Sequence, residues 1–196
     1  MKKFSLYEQC IMLPFNNEIF KHCSDFSCGN SDLDEFFHNE AELYTDELMG
    51  KTYCWITDEK PYQIVALFTL ANDSIKTVNL NNKVRNRLNR TINNNKRGRS
   101  YPAVLIGRLG INKCFQNQNI GSQLLQFIKE WFRHSDNKTG CRFIVVDAYN
   151  NGRTTKFYES NNFRYLYENE QEEGEQYKIP ITETILTRLM YCDLKL

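Results

Sequence analysis

Phe143-Ile144-Val145-Val146 lies at the centre of a nearly continuous apolar run, Cys141 to Tyr149. A strand with one wet face alternates apolar and polar residues, so an unbroken run reads as a strand covered on both faces. The segments beside it have helical period. Ile120, Leu124, Leu125, Phe127, Ile128, Trp131 and Phe132 mark the apolar face of a helix from about Ile120 to His134. A second, shorter helix is expected from about Asn151 to Ser160. Tyr101 to Asn112, opened by Pro102, reads as the strand before them; Phe163 to Tyr167 and Thr184 to Leu194 read as the strands after. A covered strand between helices commits this half of the chain to a mixed α/β sheet.

The first half adds a helix and a hairpin. Leu33, Phe36, Phe37, Ala41, Tyr44 and Leu48 recur at helical spacing over Ser31 to Leu48. Ser31 offers an N-cap, Asp32 and Asp34 suit the positive end of the dipole, and Gly50 is expected to end the helix. Lys51 to Asp58 and Gln63 to Asn72 read as an antiparallel pair joined by the Glu59-Lys60-Pro61-Tyr62 turn. Leu80 to Ile92 forms a short basic helix, broken by Asn93-Asn94-Asn95 and Gly98 within an exposed connection. The sequence shows no internal repeat. At 196 residues it fits a single domain, 1–196, with a 41% hydrophobic and 25% charged composition ordinary for a soluble globular protein.

Charge is unevenly spread behind a net value of +1. From Ser74 to Lys129 there is no Asp or Glu, whereas Lys76, Lys83, Arg85, Arg87, Arg90, Lys96, Arg97, Arg99 and Arg108 are all basic. That stretch can attract an anion, whether cofactor phosphates or nucleic acid. Glu168, Glu170, Glu172, Glu173 and Glu175 crowd one segment, expected to be a solvated loop or hairpin excursion. The seven cysteines are scattered without a C-x-x-C pair, and the three histidines are far apart, so no metal is assigned. Met1-Lys2-Lys3 begins like a signal peptide but lacks an apolar h-region, and no stretch is long enough to span a bilayer. The expected location is the cytoplasm, with no membrane partner.

The loop between the strand ending near Asn112 and the helix beginning near Ile120 carries the chemistry. A strand-to-helix turn exposes backbone N–H groups at the positive end of a helix, and together they make an anion site. Gly121 and Asn119 tolerate the backbone conformations needed to close around a phosphate. G-x-G-x-x-G and Walker patterns are absent, which disfavours a Rossmann site and nucleotide hydrolysis.

Tyr101 to Leu166 resembles the GNAT family of N-acetyltransferases, whose pyrophosphate loop reads Q/R-x-x-G-x-G/A. Here the motif falls on Gln116-Asn117-Gln118-Asn119-Ile120-Gly121, with Ser122 next and Asn119 in place of the first glycine. A second match is N-x-x-A-x-x-F-Y-E-x-x-G-F, represented by Asn151 to Phe163 with Thr154 for the alanine and Asn162 for the glycine. The resemblance implies a GNAT fold: a mixed, mostly antiparallel sheet flanked by helices, with a central strand pair splayed between Leu109 and Val146. It implies acetyl-CoA as co-substrate and direct attack by a primary amine in a ternary complex, with the CoA-binding part at about 101–166. By the same resemblance, Gln116 to Ser122 hold the pyrophosphate, and Leu109, Gly110 and Ile111 offer backbone groups to the pantetheine and the acetyl carbonyl. Asn151 contacts the pantetheine arm, and Tyr158 is the general acid. A phenol with a pKa of about 10 is protonated at neutral pH and can reprotonate the leaving thiolate. In isolation Tyr158 reads as a packed helix aromatic beside Phe157 and Phe163, and the two motifs at family-like spacing turn the reading to the acid; Gly110 alone can mark a bulge. No general base is assigned: Asp147 lies inside a strand, where packing explains it as well.

Phe26-Ser27-Cys28-Gly29 through Phe37 resembles the F-x-C-G-x-x-x-L-x-x-F-L signature of toxin-type GNAT proteins, and Gly107-Arg108-Leu109 matches their G-R-L segment. That subgroup acetylates the α-amine of aminoacyl-tRNA and pairs with a ribbon-helix-helix antitoxin. Two further readings follow: a toxin binding tRNA through the basic region 76–108, and a non-catalytic acyl-CoA-binding module. A homodimer is compatible with any of the three.

Overall fold

The computed structural model describes residues 4–180 and 182–196; the lysines at the extreme N-terminus fall outside them. The chain divides into two compact units, one formed by the described residues up to Ala71 with Ile106–Trp131, the other by Asn72–Leu105 with Phe132–Leu196. Seven strands follow the order β1-β2-β3-β4-β5-β7-β6, with β1 at Cys10–Pro14, β2 at Lys51–Thr57, β3 at Ile64–Lys76, β4 at Ser100–Ile111, β5 at Phe143–Tyr149, β6 at Arg164–Tyr165 and β7 at Thr187–Asp193. The pairs β1–β2, β2–β3, β5–β7 and β6–β7 are antiparallel. Neighbours β4 and β5 are joined through a helix, the connection a parallel pair requires. This is the mixed, mostly antiparallel α/β sheet expected.

In the first unit, short helices α1 (Leu6–Gln9) and α2 (Glu18–His22) flank β1, an edge strand that the sequence patterns did not show. The amphipathic helix expected over Ser31 to Leu48 is present but interrupted. It runs as α3 (Ser31–Glu35), a π turn (Phe36–Glu40) and α4 (Ala41–Asp46). Asn30 rather than Ser31 caps it, accepting from Leu33 N at 3.1 Å. It ends before Gly50, with Leu48 in the left-handed region at φ 57°. The core of this unit holds Phe15, Phe26, Phe36, Phe37, Cys54, Ile64 and Leu67. Helix α6 (Ile120–Arg133) buries Ile120, Leu124, Leu125 and Ile128. Its Phe127 meets Trp55 edge-on at 5.0 Å, and its Trp131 meets Tyr53 in the same way.

In the second unit, Phe143 to Val146 are each 2% exposed or less, as a strand covered on both faces requires. Helix α5 (Asn82–Asn89), capped by Asn81, is not a merely exposed connection. Val84 and Leu88 pack with Phe143, Val145 and Tyr191. Helix α7 (Gly152–Ser160) follows β5 as expected. The strand expected over Phe163 to Tyr167 is limited to the two residues of β6.

The acidic segment is a helix, α8 (Glu170–Tyr177), and not a solvated loop. Asn169 caps it by accepting from Glu172 N at 2.8 Å. Glu173 faces inward, 1% exposed, where its carboxylate accepts from Arg188 Nε at 2.5 Å and from the Leu189 backbone N–H. A guanidinium lies over the Tyr165 ring at 4.7 Å, also from Arg188. One carboxylate thus satisfies both a buried cation and an open donor of β7. Truncating one partner of such a pair leaves a buried charge uncompensated. Glu173→Ala is expected to lower unfolding free energy by about 3–5 kcal/mol, measured by urea denaturation. The Glu173→Leu/Arg188→Met double variant should recover most of that loss.

Candidate functional site

The loop after β4 is built from the strand end outward. Asn112, 5% exposed, donates from Nδ2 to Ile64 O at 2.9 Å, and its backbone N–H donates to Val65 O. Its Oδ1 accepts from Cys114 N, starting the single 3-10 turn Lys113–Phe115. Gln116 follows with its side chain turned inward. Its Nε2 donates to Cys28 O at 2.8 Å and to Ile111 O at 2.9 Å. The Gln116 side chain therefore anchors the loop, and its backbone N–H is also engaged, donating to Lys113 O at 3.4 Å.

Asn117 and Asn119 both adopt left-handed conformations, at φ 61° and 65°. The sequence pointed to Asn119 and Gly121; Gly121 is not at positive φ, and Asn117 takes that conformation instead. Alternating the hand of successive residues turns neighbouring N–H groups toward a common side. Among the described residues, the backbone N–H groups of Asn117, Gln118, Asn119, Ile120 and Gly121 donate to no carbonyl. Asn117, Gln118 and Asn119 are exposed, whereas Ile120 is 1% exposed and pins the helix start. Gly121 and Ser122 occupy the first turn of α6 and are partly exposed. The arrangement can take an anion through backbone donors and the helix dipole, without a single cationic side chain.

The N-terminal Phe26-Ser27-Cys28-Gly29 segment buttresses this loop. Besides Cys28 O, the Ser27 carbonyl accepts from Lys113 N at 2.9 Å. Asp34 holds the segment in shape, taking Ser27 Oγ and Cys28 N at 2.7 Å each. Those bonds hold the Asp34 carboxyl below its usual range against the opposing effect of burial. Gly29 has φ 83°, and a Cβ there would come within 2.9 Å of the Lys113 side chain. Gly110 has a packing role: a Cβ would meet Phe26 and Phe37 at 3.1 Å and Cys28 at 3.2 Å. The glycine that the sequence reading gave to ligand approach thus makes room for an aromatic pair, while Leu109 and Ile111 beside it remain partly exposed. No bulge is needed to explain it.

In the second unit, Asn151 caps α7, with Oδ1 accepting from Thr154 N at 2.9 Å. A ligand contact from this side chain would therefore go through Nδ2. Tyr158 is 8% exposed and packs edge-on against Phe157 and Phe163, with centroids 5.1 and 5.3 Å away. Burial pushes its phenol pKa further above the ordinary range. Packing and proton donation are not rivals here: the apolar surround that holds the ring also keeps the hydroxyl protonated. The side chain of Asp147 is exposed, on β5 opposite Leu189. It raises the pKa values of Glu173 and Tyr177 as a secondary influence behind burial.

The inward turn of Gln116 was not legible locally, because one of its two acceptors, Cys28 O, lies 88 residues away. Two asparagines flanking Gln118 were a usable signal, since asparagine is the non-glycine residue most at ease with positive φ.

Residues 81–165 match the model of the acetyltransferase (GNAT) domain. A crystal structure of a tyrosine-to-phenylalanine mutant of KacT superimposes with a TM-score of 0.71 at 17% identity, over 96% of each chain. AtaT complexed with acetyl-methionyl-tRNAfMet gives 0.68 at 18% identity over 95% of each chain. AtaTR bound with acetyl-CoA gives 0.69 at 17% identity, over 96% of this chain and 95% of that one. At these identities the likeness is one of fold, and it extends over nearly the whole length. The chain therefore has a GNAT-like fold, and residues 81–165 of it match the acetyltransferase (GNAT) domain model.

Proposed function

We propose that the protein is an acetyl-CoA-dependent N-acetyltransferase, a single GNAT domain over 1–196, whose acceptor is the α-amine of an aminoacyl-tRNA. The observation that carries the reading is the loop Asn117 to Gly121, five consecutive backbone donors in a strand-to-helix turn, placed within the matched domain. The acceptor reading is supported by the end-to-end likeness to KacT and AtaT folds, one of them solved with acetyl-methionyl-tRNAfMet. It is also supported by the acid-free stretch from α5 to β4, where Arg90, Lys96 and Arg99 are exposed and suit a phosphate backbone. A ribbon-helix-helix antitoxin is the partner this reading implies; AtaT has been solved with the C-terminus of the antitoxin AtaR. Among the described residues, no helix is long and apolar enough to cross a membrane.

In this mechanism the loop holds the pyrophosphate, and backbone groups of Leu109 to Ile111 and the Asn151 amide position the pantetheine. The amine nitrogen attacks the thioester carbonyl carbon. As the tetrahedral intermediate collapses, the C–S bond breaks and the sulfur takes the Tyr158 proton. The amine's extra proton leaves to water, and the Tyr158 phenolate regains a proton from water, which restores the acid. Because burial raises the Tyr158 pKa, the acid form persists through the whole neutral range.

Three outcomes test this. With acetyl-CoA and charged tRNA, Tyr158→Phe should lower kcat by about 10²–10⁴-fold without changing the acetyl-CoA Kd measured by calorimetry, and should relieve growth arrest on expression. Unaltered kcat would remove Tyr158 from the mechanism. The pH profile of kcat/KM should rise about tenfold per unit below the acceptor amine's pKa, about 8 for an ordinary α-amine. It should then stay flat to pH about 9.5, since a phenol shifted above about 10 remains protonated there. A falling limb below pH 9 would assign the proton to another group. Finally, Asn119→Gly should leave the acetyl-CoA Kd within about threefold, whereas Asn119→Val, forcing a β-branched residue to positive φ, should raise it about tenfold.

A further inference from the structure

The second unit contains a cavity of about 630 Å³, walled by α5, the end of α7 and the segment running through β6. That volume lies inside the roughly 300–1,000 Å³ range of small-molecule sites. None of the residues assigned to acetyl-CoA lines it. Three pairings hold its walls together. Asn81 of the α5 cap donates to Glu172, Lys83 pairs with Glu168 at 2.9 Å, and Arg87 Nη2 donates to Tyr165 O and Leu166 O at 3.0 Å each. Arg87 Nε is buried with no partner among the described residues.

The lining combines two guanidinium groups, Arg87 and Arg164, with two carboxylates, Glu159 and Glu168, and the aromatic residues Tyr165 and Tyr167. Its formal charge balances to zero. A phosphate would meet as many carboxylates as cations, so the chemistry does not select an anion. It matches a flat heterocycle with acceptors on one edge and donors on another. An arginine fork reads the O6/N7 edge of guanine, a carboxylate accepts from its ring and amino N–H groups, and tyrosine provides a stacking face. Arg188 already covers one face of the Tyr165 ring at 4.7 Å, which holds the ring in place and leaves stacking to the other face. The cavity also borders the acid-free basic stretch through Arg87. Backbone-tracking cations beside an aromatic pocket are the pairing by which proteins hold single-stranded nucleic acid.

We propose that this cavity takes an unstacked purine base, guanine being the best match, from the RNA that serves as acyl acceptor. The inference rests on the proposed aminoacyl-tRNA acceptor, and the test separates the two. Glu159 and Arg164 are exposed and lie outside the acetyl-transfer machinery, so Glu159→Ala and Arg164→Ala should fold normally. GMP titrated into the full chain should bind at least about tenfold more tightly than inorganic phosphate, and each variant should weaken it about tenfold. With charged tRNA, each variant should raise KM about tenfold while kcat and the acetyl-CoA Kd stay unchanged. GMP binding no tighter than phosphate, or an unaltered KM in both variants of an enzyme that acetylates charged tRNA, overturns the cavity assignment. Should the unmodified protein acetylate no charged tRNA, the acceptor reading fails, and the GMP titrations alone decide whether the cavity binds a base.

Discussion

One carboxamide ties the loop after β4 to the rest of its unit. Gln116 Nε2 donates to Ile111 O, the last carbonyl of β4, and to Cys28 O in the N-terminal segment. An amide nitrogen has two N–H groups, and both are used here, one on a neighbour 5 residues back and one on a partner 88 residues back. Losing either acceptor would leave a partly buried polar group unmet, a cost of about 1–3 kcal/mol. The consequence is geometric as much as energetic. With its first residue clamped on two sides, the loop can hold Asn117 and Asn119 at positive φ and still present a fixed set of donors. The neighbouring features serve the same clamp: Asp34 shapes the Cys28 segment, Gly110 lets Phe26 and Phe37 close over β4, and Asn112 ties β4 to β3. The Phe26-x-Cys28-Gly29 signature, which the sequence linked to a subgroup and its substrate, acts structurally as the buttress of the loop after β4.

What was legible in the sequence was whatever depends on short-range period. The buried strand at Phe143 to Val146, helix α6 with its apolar face and the β2–β3 hairpin each announce themselves within a dozen residues. The candidate site rests on a different route, the resemblance of Gln116 to Gly121 and Asn151 to Phe163 to family motifs. Period failed where an element is too short to express one. The strand β1 is five residues long and half-exposed, and β6 is two. It failed again at Phe36–Glu40, where a π turn shifts the register of an otherwise regular helical pattern.

The acidic segment failed for a different reason. Five glutamates within eight residues look solvated because most of them are; the exception is Glu173, whose partner Arg188 is 15 residues away on a strand. Composition averages over such a residue, while packing singles it out. A local sign was nonetheless present. Asn169 followed three residues later by Glu172 is a helix-start pattern, and both halves of it are used: Asn169 accepts from Glu172 N, and Glu172 accepts from Glu168 N. Charge density says nothing about whether a backbone turns; capping chemistry does.

Asn119, where the family motif has glycine, is best understood through what each residue costs. Glycine reaches positive φ freely but loses the most conformational entropy on ordering. Asparagine accepts φ 65° with less penalty than other side chains, and it restricts the unfolded chain, an advantage of up to about 1 kcal/mol. The two effects oppose one another and are of similar size. A loop that must bind an anion through backbone N–H groups gains from whichever residue holds those groups still. With Gln116 clamped before it and Ile120 buried after it, Asn119 has little freedom left to spend. The departure from the motif therefore leaves the donor array intact, because the residues on either side fix the backbone that the first glycine of the motif would otherwise have to adapt.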